Sequence, residues 1–323
     1  MKKMWLILAA SFSTLALGFA CLMLGDIHLS FIRVLAALFG QGDHIAGLVV
    51  WTMRLPNVVA ALITGAALAT SGLLLQRLTN NPLVDSSILG VNAGASLGAV
   101  TLITLANSHR LSVQRWLPLA AISGACLALV IVRNRGTHSR LLLLLRGVAL
   151  TALLNGIILL LQLNMNTFDF ERVLTWLSGS FWNTDWAFLS HYGTATIGLL
   201  LAVAAMQRPL AALILGDDMA HNVGVNVLAT KRWLLGLAIA LAAVAVAVGG
   251  AISLVGLMAP NIAKYLCGNR FSRLFPITIL LGCGIMLAAT AVANNLFLPS
   301  TLPVGLVVAV ITMPYFLFQL FHD

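Results

Sequence analysis

Residues 208–232, RPLAALILGDDMAHNVGVNVLATKR, interrupt an otherwise apolar chain. Arg208 closes one long hydrophobic segment and Lys231-Arg232 opens the next. Between them, Gly216-Asp217-Asp218-Met219-Ala220-His221-Asn222-Val223-Gly224-Val225 reads as a short helix at a membrane surface. Gly216 permits the entering turn, Asp217 or Asp218 can cap the first backbone N–H groups, and Gly224 ends the helix. About two turns of helix are unstable alone in water, so the element must pack on its own bundle or on a partner.

Everything around that stretch is hydrophobic. The chain has 323 residues, 60% of them hydrophobic and only 8% charged, with a mean hydropathy of +1.01. Soluble domains carry about 25% charged residues, so this composition belongs to an all-α polytopic membrane protein, read as one transmembrane domain over residues 1–323. The net charge of +9 does not imply nucleic acid, because the cations lie singly or in small groups between apolar runs, where they set topology.

Apolar segments of spanning length number about ten: residues 4–24, 56–76, 88–106, 116–132, 141–162, 191–207, 232–250, 252–268, 276–297 and 303–321. The start, Lys2-Lys3 followed by an apolar run to Cys21 and Leu24, resembles a signal peptide but is long enough to be an uncleaved first span. With Lys2 and Lys3 inside, alternation places both termini and the 208–231 loop in the cytoplasm. Thirteen cations then lie inside (Lys2, Lys3, Arg77, Arg133, Arg135, Arg140, Arg146, Arg208, Lys231, Arg232, Lys264, Arg270, Arg273), against five outside (Arg33, Arg54, Arg110, Arg115, Arg172). Spans 2–5 and 7–10 start on opposite sides, which permits a four-plus-four inverted repeat.

All nine acids lie in loops or at segment ends. Ion-coupled carriers usually keep an intramembrane carboxylate, so energy is expected to enter from elsewhere. Cys21, Cys126, Cys267 and Cys283 have unrelated spacings and read as buried small residues, neither a disulfide framework nor a metal site. No catalytic cluster and no phosphate-binding GxxxxGK[ST] loop occurs in the sequence. Gly65, Gly72, Gly90, Gly94 and Gly98 sit at spacings that let helices pack closely. In residues 164–190, Trp176, Phe181, Trp182 and Trp186 suit a short helix at the membrane interface.

These residues, taken in order, resemble the iron-siderophore and cobalamin permease family of bacterial ABC importers (the FecCD/BtuC type). The match runs through Arg54-Leu55-Pro56, Gly65-Ala66-Ala67-Leu68-Ala69, Ser71-Gly72, Gln76, Asn81-Pro82-Leu83 and Leu89-Gly90-Val91-Asn92-Ala93-Gly94-Ala95. It continues through Trp176-Leu177-Ser178-Gly179-Ser180, Gly216-Asp217-Asp218 with Ala220 and Gly224-Val225, Val255-Gly256-Leu257, Pro260 and Leu302-Pro303-Val304-Gly305. Each motif is short, and their joint order carries the resemblance.

The resemblance implies a ten-helix permease in the bacterial inner membrane that pairs with a copy of itself or with a sister subunit. It implies that Gly216, Asp217, Asp218, Ala220, His221 and Gly224 belong to a coupling helix seated in a cytoplasmic ABC ATPase dimer. That ATPase would hydrolyse the ATP, the permease itself binding no cofactor. A periplasmic or lipid-anchored binding protein would deliver a ferric siderophore, with haem or cobalamin as the alternative cargo and a secondary carrier as the alternative class. Asn81, Pro82 and Leu83 are candidates for a cytoplasmic gate, as is the 138–142 turn. Arg54, Arg33 and Arg172 are candidates for docking the binding protein. The chain departs from the family pattern at Asn57, Asn261, Thr290, Asn294 and Thr301. Several charges expected for docking are therefore missing, which a sister subunit would supply.

Overall fold

The computed structural model describes residues 2–25, 27–41, 43–109, 113–132, 140–181, 184–297 and 300–322. Arg110, Trp182 and residues 133–139, which include Arg133, Arg135 and part of the 138–142 turn, lie outside the described residues, as do the side chains of Lys2, Lys3, Arg115 and Arg140. The described chain is helical throughout, with no strand among the described residues. It opens with α1 (Lys2–Met23), α2 (Phe31–Leu38) and α3 (His44–Leu48), which runs through a π-helical segment, Val49–Arg54, into α4 (Leu55–Thr79). Then follow α5 (Val91–His109), α6 (Val113–Val132), α7 (Arg140–Gln162), α8 (Thr167–Leu177) and α9 (Trp186–Ala205). The second half comprises α10 (Gln207–Leu213), α11 (Asp217–Asn222), α12 (Val227–Gly249), α13 (Val255–Cys267), α14 (Phe271–Asn295) and α15 (Val304–His322).

Among the described residues, six helices are long and apolar enough to cross a membrane, and α5, α6 and α15 are shorter apolar helices. Every expected segment falls on a helix, but two readings need correction. The second span does not begin at Pro56: helix continues from His44 to Thr79, 36 residues. Pro56 reads as a helix start because it lacks an N–H to donate. The wider turns of the π segment carry the chain past it. The eighth segment, expected over 252–268, is helical only over Val255–Cys267, thirteen residues. Gly250 and Leu254, both at positive φ (74° and 73°), break the chain before it.

The helix α4 is the centre of the bundle. Its most apolar window is 89% buried, against 17% for α1 and for α9. It packs on α12, α13 and α14, while α5 packs chiefly on α6. In a bilayer there is little hydrophobic drive between apolar helices, so close backbone approach carries the association. A Cβ on Gly72 would lie 1.8 Å from the Gly256 carbonyl oxygen, and one on Gly98 would lie 2.1 Å from that of Ala120. The expected packing role of the small residues is met at these crossings. Of the four cysteines, Cys126 on α6 is exposed rather than buried; the other three are buried.

Candidate functional site

At the end of the bundle reached by the last turn of α4, α10 leads into α11. Gly216 enters α11 at φ 102°, which a side chain would resist. It occupies the N-cap position with no side-chain cap, so the expected capping by Asp217 or Asp218 is not found. Asp217 instead turns to Lys231, whose Nζ lies 2.5 Å from its carboxylate, both side chains being partly exposed. The helix stops as its sequence indicates. Gly224 (φ 83°) donates to the His221 carbonyl at 2.9 Å, and Val225 donates to the Ala220 carbonyl at 3.0 Å. These paired bonds satisfy the final carbonyls. Ala220 is fully buried and roots the helix, while Asp217, Asp218, His221 and Gly224 are exposed. Leu215, Met219 and Val223, four residues apart, are 62%, 56% and 68% exposed. Met219 and Val223, one turn apart, form an apolar face on α11, and Leu215 stands just before the helix, across the positive-φ Gly216.

The connection from α4 to α5 is pinned. Asn80 ends α4 in the left-handed region (φ 51°), which Asn tolerates. Asn81 accepts the Leu83 N–H at 2.9 Å, and the Pro82 carbonyl accepts from Asn261 Nδ2 at 2.9 Å. Asp85 is only 2% exposed. Its Oδ2 accepts the Leu254 N–H at 3.1 Å, and its Oδ1 accepts from the Ser86 N–H at 2.5 Å and the Ser86 Oγ–H at 3.1 Å. A Cβ on Gly256 would lie 2.6 Å from that Oδ1, so glycine makes room for the carboxylate. Asn92 Nδ2 donates to the Ile252 carbonyl, and Gln76 Nε2 donates to those of Gly256 and Leu257. The candidate gate segment Asn81-Pro82-Leu83 is thereby tied to α13 through Asn261, and Asp85 just after it to the break before α13. Sequence reasoning left Asp85 among the ordinary loop acids.

At the opposite end, Arg54 donates to the Leu22 carbonyl at 2.8 Å and to the Ile27 carbonyl at 2.5 Å. A Cβ on Gly25 would lie 2.7 Å from this guanidinium. Arg54 thus braces the chain between α1 and α2. Arg33 on α2 is exposed, and Arg172 on α8 lies 5.2 Å over the Phe168 ring. Of the aromatics expected on one short helix in residues 164–190, Trp176 lies on α8, whereas Phe181 follows that helix and Trp186 opens α9; α8 is capped by Asn166, which accepts the Asp169 N–H at 2.9 Å. Trp186 Nε1 donates to the Trp51 carbonyl. Arg54→Ala is expected to lower the thermal midpoint by about 5 °C, since charged hydrogen bonds of this kind contribute about 2 kcal/mol. A thermal scan of the purified variant measures this, and an unchanged midpoint would leave Arg54 free for docking alone.

A tightly crossed bundle of apolar helices with a short helix rooted at one end is the architecture of a polytopic membrane protein, and its relatives make it a transport permease. The chain belongs to the FecCD transport family, whose model matches residues 13–322. It is 34% identical to the iron(3+)-hydroxamate import system permease protein FhuG of Bacillus subtilis, over 99% of this chain and 97% of that protein. It is 37% identical to the Fe(3+) dicitrate transport system permease protein FecD of Escherichia coli, over 87% of each. A metal-chelate type ABC transporter solved in an inward-facing conformation superposes with a TM-score of 0.86 at 26% identity, covering 99% of this chain and all of that one.

Proposed function

We propose that this chain is the transmembrane permease subunit of an ABC importer that carries a ferric chelate, a siderophore complex, across the bacterial inner membrane. The observation that carries the reading is α11, a helix rooted by Ala220 that presents Met219 and Val223 outward, with the exposed Leu215 just before it. An apolar stripe bordered by Asp217, Asp218 and His221 suits a cleft in a cytoplasmic ATPase. Two permeases, either copies or sisters, would place two such helices on an ATPase dimer. ATP turnover in that dimer would drive the change of access, with no hydrolysis by the permease. On this reading both termini and α11 are cytoplasmic. The opposite end, with Arg33, Arg54 and Arg172, meets the substrate-binding protein, and Asn81, Pro82 and Leu83 move with α13 as the inner gate. The hydroxamate and dicitrate import assignments of the relatives support the cargo class.

The test combines Met219→Glu with Val223→Glu. Both side chains are exposed, so each substitution should change stability by no more than about 0.5 kcal/mol. Uptake of a labelled ferric siderophore should fall at least tenfold at equal membrane level, and the ATPase should no longer copurify. Uptake within twofold of the parent, with the ATPase retained, would remove α11 from the coupling role. Deletion of the partner ATPase should abolish uptake, whereas a carrier working alone would persist.

A further inference from the structure

Beside α11, and sharing Asp217 with it, lies a cavity of about 270 Å³. Arg77 from the last turn of α4 and Lys231 from the second turn of α12 both line it, with Asn80, Asn269 and Asp217. The rest of the wall is aliphatic, drawn from α10, α12 and the end of α4. Two cations and one carboxylate leave a net positive charge in a partly dry, partly apolar recess. Arg77 Nη2 donates to the Asn269 carbonyl at 2.8 Å, which anchors one arm of its guanidinium on the turn between α13 and α14. Both cations stand at the ends of candidate spans, the depth at which lipid headgroups lie.

We propose that this cavity binds a phosphate group, with Arg77 and Lys231 supplying the charge and Asn80 supplying a neutral donor. Guanidinium and ammonium groups are the usual partners of phosphate oxygens. The aliphatic wall fits the glycerol and upper acyl carbons of a phospholipid, although a free phosphate shares the same chemistry. Asp217 competes for Lys231 in the empty cavity, so anion binding would loosen the ion pair that holds the first turn of α11. The occupant would link the ends of α4 and α12 and the α13–α14 turn, the platform beneath α11.

The full chain is reconstituted in nanodiscs of phosphatidylcholine doped with phosphatidylglycerol, and retained lipid is counted by native mass spectrometry. Parallel thermal scans in detergent use inorganic phosphate against chloride of equal ionic strength. Arg77→Gln with Lys231→Gln should weaken phosphatidylglycerol retention roughly twenty-five-fold, about fivefold for each cation. Asp217→Asn, a partly exposed change that removes the competing charge, should strengthen it. Phosphate stabilisation of the parent but not the double variant, with unchanged lipid retention, would establish the site with a free anion as its occupant. Equal retention and equal phosphate response in all three proteins would overturn the proposal. If the double variant fails to fold, an Asp217→Asn response no greater than the parent's would overturn it alone.

Discussion

Alanine in place of Gly72 is expected to leave no stably folded protein in the membrane. Its Cβ would sit 1.8 Å from the Gly256 oxygen and 2.4 Å from the Gly256 carbonyl carbon. Both obstructing atoms are backbone, so no side-chain rotation relieves the overlap. The crossing is tight from the α13 side as well: a Cβ on Gly256 would lie 2.8 Å from the Leu68 carbonyl oxygen of α4 and 2.6 Å from Asp85 Oδ1. The helices α4 and α13 would have to separate, and the loss should exceed about 3 kcal/mol, the upper range for an overpacked core. Gly156→Ala in α7 is the control. Nothing lies within 4 Å of a Cβ there, and the exchange should be neutral or stabilise the helix by up to about 1 kcal/mol. Size-exclusion profiles of fluorescent fusions should show aggregate for Gly72→Ala and a single peak for Gly156→Ala. A monodisperse Gly72→Ala with the parent's thermal midpoint would contradict the packing described.

The second large effect is expected at Asp85. Removing its carboxylate leaves the Leu254 and Ser86 N–H groups without these acceptors in a buried place. Each orphaned donor costs about 1–3 kcal/mol. Leu254 adds to this, because it is held at φ 73°, where a non-glycine residue is strained by about 1–2 kcal/mol. The Asp85 acceptor helps to keep it there. Asp85→Ala should therefore lower the thermal midpoint by about 10 °C, and uptake should fall with it. Asp85→Asn keeps one acceptor oxygen but turns an amide N–H toward a donor, so its loss should be intermediate. Asp85→Glu should be no better than Asn, since Gly256 leaves room only for the shorter chain. A ranking in which Ala equals Asn would show that the hydrogen bonds contribute nothing and only the volume counts.

How far the sequence reveals these features depends on how local each signal is. Hydropathy is a property of consecutive residues, so the apolar segments all land on helices. The short helix is equally local: Gly216 and Gly224 bracket it, and the observed element lies between them. Partner-dependent features are invisible to such a reading. Asp85 resembles any loop acid until the fold brings in Leu254, 169 positions away. Arg54 reads as a docking charge because the family resemblance implies one there, and only the fold reveals that carbonyls take its donors. The sequence offers the Asp217 carboxylate a local use as a cap, and only the fold brings in Lys231, fourteen positions on, to pair with it instead.

The shortness of α13 orients the whole subunit about the membrane normal. Thirteen helical residues cover about 20 Å of the roughly 30 Å hydrocarbon layer. The stretch before them, from Gly250 to Leu254, is non-helical, with Ile252 buried and Ala251, Ser253 and Leu254 half-covered. Acyl chains offer no partners to the amide groups of such a stretch. That sector must therefore turn toward protein or toward a water-filled passage, and the sparsely covered helices α1, α7 and α9 are left to meet the lipid. One broken helix thus gives an almost uniformly greasy molecule a wet side and an oily side.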